Sequence, residues 1–330
     1  MSGTPFQKYL IALLVFITGQ LHAQNREGVT GGRDSSYTTA SAFTKDLKNH
    51  PEIKIVQEFE FKSIEATKDI TYCRLSSREL KLDVFKSIRK KDSSKTAVII
   101  IHGGGWRSGN RTQHYPLAQK LADLGYVCFT PEYRLSTEAL FPAAVYDIKA
   151  AIRWVKSHAA EYTIDNDRIA VLGFSAGGEL AAFMGTTGNM PLFEGNDCST
   201  ELSSTVDAVI DIDGTLSFVH TDSGEGDDSR GTSAATYWFG YSKKENPTLW
   251  EAASPLSYVS ADTPPTLFIN SSVDRMHAGR EDYIGILKAK NIYSEVKEFE
   301  GSPHSFILYH PWFEPSVKYI DEFLTKVFEN

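Results

Sequence analysis

The 330-residue sequence predicts an α/β fold, doubly wound about a mostly parallel central sheet, with antiparallel strands at its start and a small inserted loop or cap region. Three observations carry that expectation. Largely apolar runs at 97–101, 168–172, 206–212 and 266–270 have the character of strands covered on both faces by helices. Helical patterning at 116–124, 142–158, 179–184, 278–288 and 315–327, with further strand-like runs at 126–130 and 293–299, makes strand and helix alternate. Ahead of them, the stretches 53–61, 70–74 and 80–85 are strand-like with no helix between, which suits an antiparallel start.

Taken in order, residues 1–23 carry one charge at Lys8, then the apolar run 10–17, then Leu21-His22-Ala23 before Gln24. That is the pattern of a cleavable secretory signal peptide, and the run is well short of the about 20 residues that span a bilayer. The mature chain is expected to be secreted or periplasmic, with no membrane attachment after signal removal. Loss of Lys8 takes the net charge from −8 to −9, and such an acidic chain lacks the basic face that general nucleic-acid binding needs. Residues 24–49 are polar and rich in Gly, Ser and Thr, so they read as a flexible lead-in without chemistry of its own. Residues 50–330 then form one large domain.

The three cysteines allow at most one intrachain disulfide. Cys128 falls inside an apolar strand pattern and belongs in the core, while export permits a bridge between Cys73 and Cys198. The stretch 216–256 breaks the alternation and is the expected insertion over the site. Its acidic run 222–229 lacks the spacing and terminal glutamate of a calcium loop, so it reads as a solvated loop. No HExxH, CxxC or similar spacing occurs, and neither a metal nor a cofactor is expected.

The chemistry centres on Gly173-Phe174-Ser175-Ala176-Gly177-Gly178, between an apolar strand and a helix. There Ser175 occupies the position of a nucleophile on a strained strand-to-helix turn. GxSxG alone is a modest signal, with roughly 0.1 chance matches expected in a chain of this length. His102-Gly103-Gly104-Gly105-Trp106, directly after the strand at 97–101, supplies the complement. Its side-chain-free backbone can aim N–H groups at a developing oxyanion, and the donors are assigned to Gly104, Gly105 and Ala176. His102 is read as orienting this loop and not as a base.

These two motifs, with Pro131-Glu132-Tyr133-Arg134-Leu135 and Phe141-Pro142-Ala143-Ala144 between them, resemble the α/β-hydrolase superfamily, its hormone-sensitive-lipase-like esterase and acetylesterase branch above all. The resemblance covers about 80–328. It implies an acid after a late strand and a histidine after the last one. Asp274 follows the strand at 266–270 by four residues, and His304 follows the strand ending near 299. Ser175, Asp274 and His304 then stand in the order Ser, Asp, His, with Asp282 and Asp213 as the other acids available because 271–276 departs from the common Gly-x-x-Asp pattern. Trp106, Trp238 and Trp312 are candidates for the floor of a substrate pocket.

The implied activity is that of a serine esterase acting through an acyl-enzyme, on a small ester or an acylated polysaccharide. Among family members an exported profile suggests short acyl groups, acetyl foremost, on plant or algal polysaccharide. Feruloyl or pectin methyl ester hydrolysis, a prolyl-type peptidase and a non-catalytic binding module with a hydrolase fold are the alternatives.

Overall fold

In the computed structural model of the chain, residues 24–329 are described, apart from 33, 77, 90–94 and 189. The expected signal peptide at 1–23 lies outside the described residues. Among the described residues ten strands run in chain order: β1 (Lys54–Ile55), β2 (Ile64–Arg74), β3 (Glu79–Ser87), β4 (Lys95–Ile101), β5 (Val127–Pro131), β6 (Ile164–Phe174), β7 (Ala208–Ile212), β8 (Thr266–Asn270), β9 (Ser294–Glu298) and β10 (Tyr309–His310). Eight of them form one sheet in the order β2-β3-β5-β4-β6-β7-β8-β9. The β2–β3 and β3–β5 pairs are antiparallel and every later pair is parallel.

The continuous apolar strands are explained by where their alternate residues go. Ala97, Ile99 and Ile101 of β4 join one core, whereas Val98 and Ile100 join the core on the opposite face. Strand β6 divides the same way, with Ile169 and Val171 on one side and Ala170, Leu172 and Phe174 on the other. Burying such a side chain is worth about 1.5–3 kcal/mol, so none of these core-facing positions tolerates a polar residue cheaply.

Helices cover both faces. In chain order they are α1 (Thr39–Asp46), α2 (Tyr115–Leu124), α3 (Ala143–Ser157), α4 (Ala159–Tyr162), α5 (Ala176–Thr186), α6 (Ala234–Phe239), α7 (Pro247–Ala252), α8 (Arg280–Ala289) and α9 (Phe313–Phe328). α3 and α5 pack into the first core, α2 and α9 into the second. The short helices α6 and α7 lie in the insertion expected at 216–256.

Two N-terminal expectations need correction. The strand expected at 53–61 is reduced to the two residues of β1, which pair with β10 outside the main sheet. Phe59 and Phe61 stack on each other at 5.2 Å instead of alternating across a sheet, and the Lys120 ammonium sits over both rings. The lead-in at 24–49 is not a flexible linker. Thr38 and Ser41 form a reciprocal capping box that starts α1, Ala42 is buried, and Phe43 meets Tyr309 edge-on at 5.9 Å. Upstream, Arg107 bonds Asp34 at 2.6 Å and the Gly28 carbonyl at 3.0 Å while lying 4.2 Å from the Tyr237 ring. A polar composition hid these ties because most of them are hydrogen bonds, with one cation–π contact and only a few apolar side chains among them.

Cys73 and Cys198 form a disulfide that joins the end of β2 to the loop following α5, across 125 residues of chain, and Cys128 is buried and free. A cross-link closing so long a loop restricts the unfolded chain strongly. Replacing both Cys73 and Cys198 by Ser is expected to cost about 2–5 kcal/mol. The check is the thermal midpoint of the double variant against wild type; an unchanged midpoint would show that the bridge adds nothing.

Candidate active site

The local sequence dictates a sharp corner at the end of β6. Ser175 has φ 57° and ψ −121°, a conformation that a residue with a side chain holds only when its surroundings impose it. A Cβ at Gly173 would run into the Gly177 carbonyl, and one at Gly177 into the backbone at Ile101. The glycines therefore let β6, α5 and β4 close up around the serine. Ser175 N–H donates to the Ile212 carbonyl at 2.8 Å, which ties the corner to the neighbouring strand β7.

That strand supplies the acid. Phe174 of β6 is in register with Ile212 of β7, so the residues that follow, Ser175 and Asp213, emerge side by side at the carboxyl edge of the sheet. The His304 imidazole bridges them, with Nε2 2.9 Å from Ser175 Oγ and Nδ1 2.9 Å from Asp213 Oδ2. In this arrangement Nδ1–H donates to the carboxylate and Nε2 is left to accept the serine proton.

The assignment of Asp274 is thus corrected to Asp213. After β8, the Ser271 N–H is spent on Asp213 Oδ1 at 2.7 Å, and the chain turns through a 3₁₀ helix at Asp274–His277 anchored by buried Met276. That turn leaves Asp274 exposed and brings His277 inward, with Nε2 3.3 Å from Asp213 Oδ1. Asp282 is also excluded as the acid, being exposed on α8 and 3.6 Å from His220. Sequence reasoning missed His277 altogether and kept Asp213 only as a reserve. The available signal was the position of Asp213, directly after the buried strand end Ile210-Asp211-Ile212.

Asp213 is fully buried. Burial pushes its carboxyl up, but hydrogen bonds from His277, His304 and Ser271 outweigh it and hold the group well below the usual carboxylate range. It stays ionised opposite His304 and can stabilise an imidazolium. Asp213 and Trp106, like Ser175, have positive φ, at 53° and 56°, so the backbone irregularities of this region gather at the site.

The oxyanion loop is fixed from behind. The His102 ring stacks on Tyr133 at 4.3 Å, Tyr133 Oη–H donates to the His102 carbonyl, and Gly103 N–H donates to Gln113 Oε1 at 2.7 Å. Gly104 and Gly105 adopt φ of 128° and 60°, and Ser108 holds the Gly104 carbonyl through both its N–H and Oγ. Both glycines line the cavity that contains Ser175, while Ala176 begins α5, whose N-terminal backbone N–H groups favour negative charge.

The tryptophans do not floor this cavity. Trp106 and Trp238 are buried and stacked at 4.7 Å, and Trp106 Nε1–H donates to Glu179 Oε2 at 2.9 Å, so they support the loop from inside the core. Trp312 lies beside His50, away from Ser175. The cavity, about 440 Å³, is walled instead by the N-terminal segment, through Tyr37, Ser41, Ala42 and Lys45, together with Ala234 of α6 and Arg275. Residues 24–49, expected as a flexible lead-in without chemistry of its own, thus form part of the cavity wall.

A family model, BD-FAE, matches residues 82–278. The chain belongs to the BD-FAE family. The matched span holds the oxyanion loop, Ser175, Asp213 and His277, and ends before His304. Esterase LipQ of Mycobacterium tuberculosis is 31% identical over 216 residues, which are 64% of this chain and 49% of LipQ. This BD-FAE chain spans about half the length of the curated relatives it matches. Among solved structures, the esterase Est2 of the planctomycete Thermogutta terrifontis with butyrate bound superposes with a TM-score of 0.65 at 26% identity, over 81% of this chain and 95% of Est2. A Bacteroides eggerthii protein described as a bifunctional GH43-CE gives 0.67 at 26% identity, over 80% of this chain and 38% of that one. The α/β-hydrolase fold and the esterase branch to which the motifs pointed are those of these proteins.

Asp213→Asn is expected to lower kcat about 10⁴-fold with the fold intact, because an amide donor opposite Nδ1 selects the wrong tautomer of His304. Asp274→Asn is expected to change kcat less than about threefold, since it leaves Asp213 and His304 as they are. The reverse ranking in steady-state assays would return the acid to Asp274.

Glu179 supplies a pH-dependent prediction. It is fully buried and its carboxyl is raised well above the ordinary range by burial, with Trp106 opposing and Asp211 and Glu225 adding to the rise. A carboxyl raised on folding favours the folded state below its unfolded value of about 4.3, and that contribution is lost as pH rises through the folded value. Glu179→Gln keeps an acceptor for Trp106 and removes the titration. Its thermal midpoint relative to wild type should be more favourable at pH 8 than at pH 5, as read by calorimetry. Equal differences at both pH values would show that Glu179 does not titrate in this way.

Proposed function

We propose that the chain is an exported serine esterase that removes short acyl groups, acetyl foremost, from plant or algal polysaccharide. The observation that carries the esterase reading is the unbroken line Ser175–His304–Asp213, with bond lengths of 2.9 Å at both joints. His304 takes the serine proton as Oγ attacks the ester carbonyl, and Asp213 holds the resulting imidazolium. The backbone N–H groups of Gly104, Gly105 and Ala176 receive the oxyanion, each such donor being worth about 2.7–4 kcal/mol of barrier. His304 returns the proton to the leaving alcohol, and water then repeats the sequence on the acyl-enzyme.

The short acyl chain is supported by Est2, 26% identical, whose structures hold butyrate and propionate. The polysaccharide side of the reading rests on the signal-like residues 1–23 and on the resemblance of the motifs. Small neutral esters should be hydrolysed, and two-carbon to four-carbon acyl groups should be favoured over eight-carbon ones. A fluorophosphonate probe should label the wild type and not Ser175→Ala. A folded wild type that takes no label would overturn the enzyme reading. Release of ferulate or methanol in place of acetate from defined polysaccharides would overturn the acetyl assignment.

A further inference from the structure

We propose that the ester turned over at Ser175 carries a carboxylate close to the scissile bond, and that Lys45 and Arg275 bind it. The inference rests on the esterase reading of the same cavity and names its substrate class more closely.

The protein is acidic, with a net charge of −8, yet the charged side chains lining the Ser175 cavity, besides His304, are three cations and one anion: Lys45, Arg107, Arg275 and Asp46. Arg107 is already engaged by Asp34, the Gly28 carbonyl and the Tyr237 ring. Asp46 accepts from Tyr309 Oη–H at 3.3 Å. The other two cations are not engaged in that way. Lys45 is exposed near the end of α1, and no acceptor among the described residues pairs with its ammonium. Arg275 has a half-exposed side chain, and its nearest carboxylate oxygen, on Glu225, is 3.8 Å away, beyond hydrogen-bond length. Burial pushes the Glu225 carboxyl up, against the pull of Arg275, His304 and Lys243.

The two cations reach the cavity from different elements, Lys45 from the N-terminal helix α1 and Arg275 from the turn after β8, with Ser175 and His304 forming another part of the wall. A guanidinium fork and an ammonium on one small cavity suit a planar carboxylate, the fork taking both oxygens and the ammonium adding charge. A locally positive mouth on an acidic surface also raises the local concentration of an anionic ester relative to a neutral one. The larger cavity behind the oxyanion loop, at Arg78 and Arg111, makes no such offer, since those arginines are paired with Glu138 at 2.6 Å and with Asp83 and Glu132 at 2.7 and 3.0 Å.

The carboxylate has two chemical sources, a uronate sugar on the alcohol side or a dicarboxylic acid on the acyl side. Two matched pairs of esters separate them: O-acetylated galacturonate against O-acetylated galactose, and monomethyl succinate against methyl butyrate. In one pair the wild type should prefer the anionic member by about tenfold in kcat/KM at low ionic strength, mainly through KM. The preference should fall toward unity in about 0.5 M salt, where exposed charges are screened. It should be lost in the Lys45→Gln, Arg275→Gln double variant and kept in Lys48→Gln, an exposed control just beyond α1. No preference in either wild-type pair, or a preference that survives either the salt or the double variant, would overturn the inference. A wild type that hydrolyses none of the four esters would instead overturn the esterase reading on which the inference rests. The salt series on wild type decides the question even if the double variant fails to fold.

Discussion

Register between two neighbouring strands governs this site. Ser175 and Asp213 leave β6 and β7 at the same level of the sheet, and the Ser175 N–H bond to the Ile212 carbonyl holds them there. His304 has only to arrive between them for a proton path to form. It comes from the loop after β9 and so reaches back past β8, whose end supplies the Ser271 N–H that fixes the far side of Asp213. Buried strands whose alternate residues enter two separate cores cannot slip by one position without reversing both, so the alignment is protected by the whole sheet.

The carboxylate so placed is charged and fully enclosed, which is costly unless its oxygens are satisfied. Here they are: Oδ2 meets His304, while Oδ1 meets the Ser271 N–H and the His277 ring, with the Asn270 amide at 3.4 Å. The turn after β8, expected to supply the acid through Asp274, supplies His277 against the acid instead. The turn still serves the site, through a donor to the acid and not through the acid itself. It also presents Arg275 to the cavity, so that a four-residue segment contributes to both the proton path and the charge of the mouth.

The N-terminal segment is the second departure from expectation. Its small polar residues leave no hydrophobic pattern to read, yet they give it the capping box of α1, the Arg107–Asp34 ion pair and the wall of the cavity opposite the oxyanion loop. The span matched by the BD-FAE family model begins only at residue 82, so this wall is built outside it. This wall is thus built apart from the proton path, which lies in the sheet and its loops.

By itself the sequence determined the α/β class, the sharp corner at Ser175, the glycine-rich loop at Gly104 and Gly105 that lines its cavity, and His304 as the histidine beside Ser175. Each of these is a local matter: apolar runs flanked by helical patterns, or small residues where backbone must come close. Tertiary structure alone decided which of three aspartates meets His304, that His277 stands behind it, that the Cys73–Cys198 bridge forms, that Trp106 and Trp238 lie in the core, and that residues 34–46 wall the cavity. Those outcomes depend on strand order and on contacts between residues far apart in the chain, from 64 positions for Asp213 with His277 to 129 for Ser175 with His304. Spacing along the chain carries no record of such contacts.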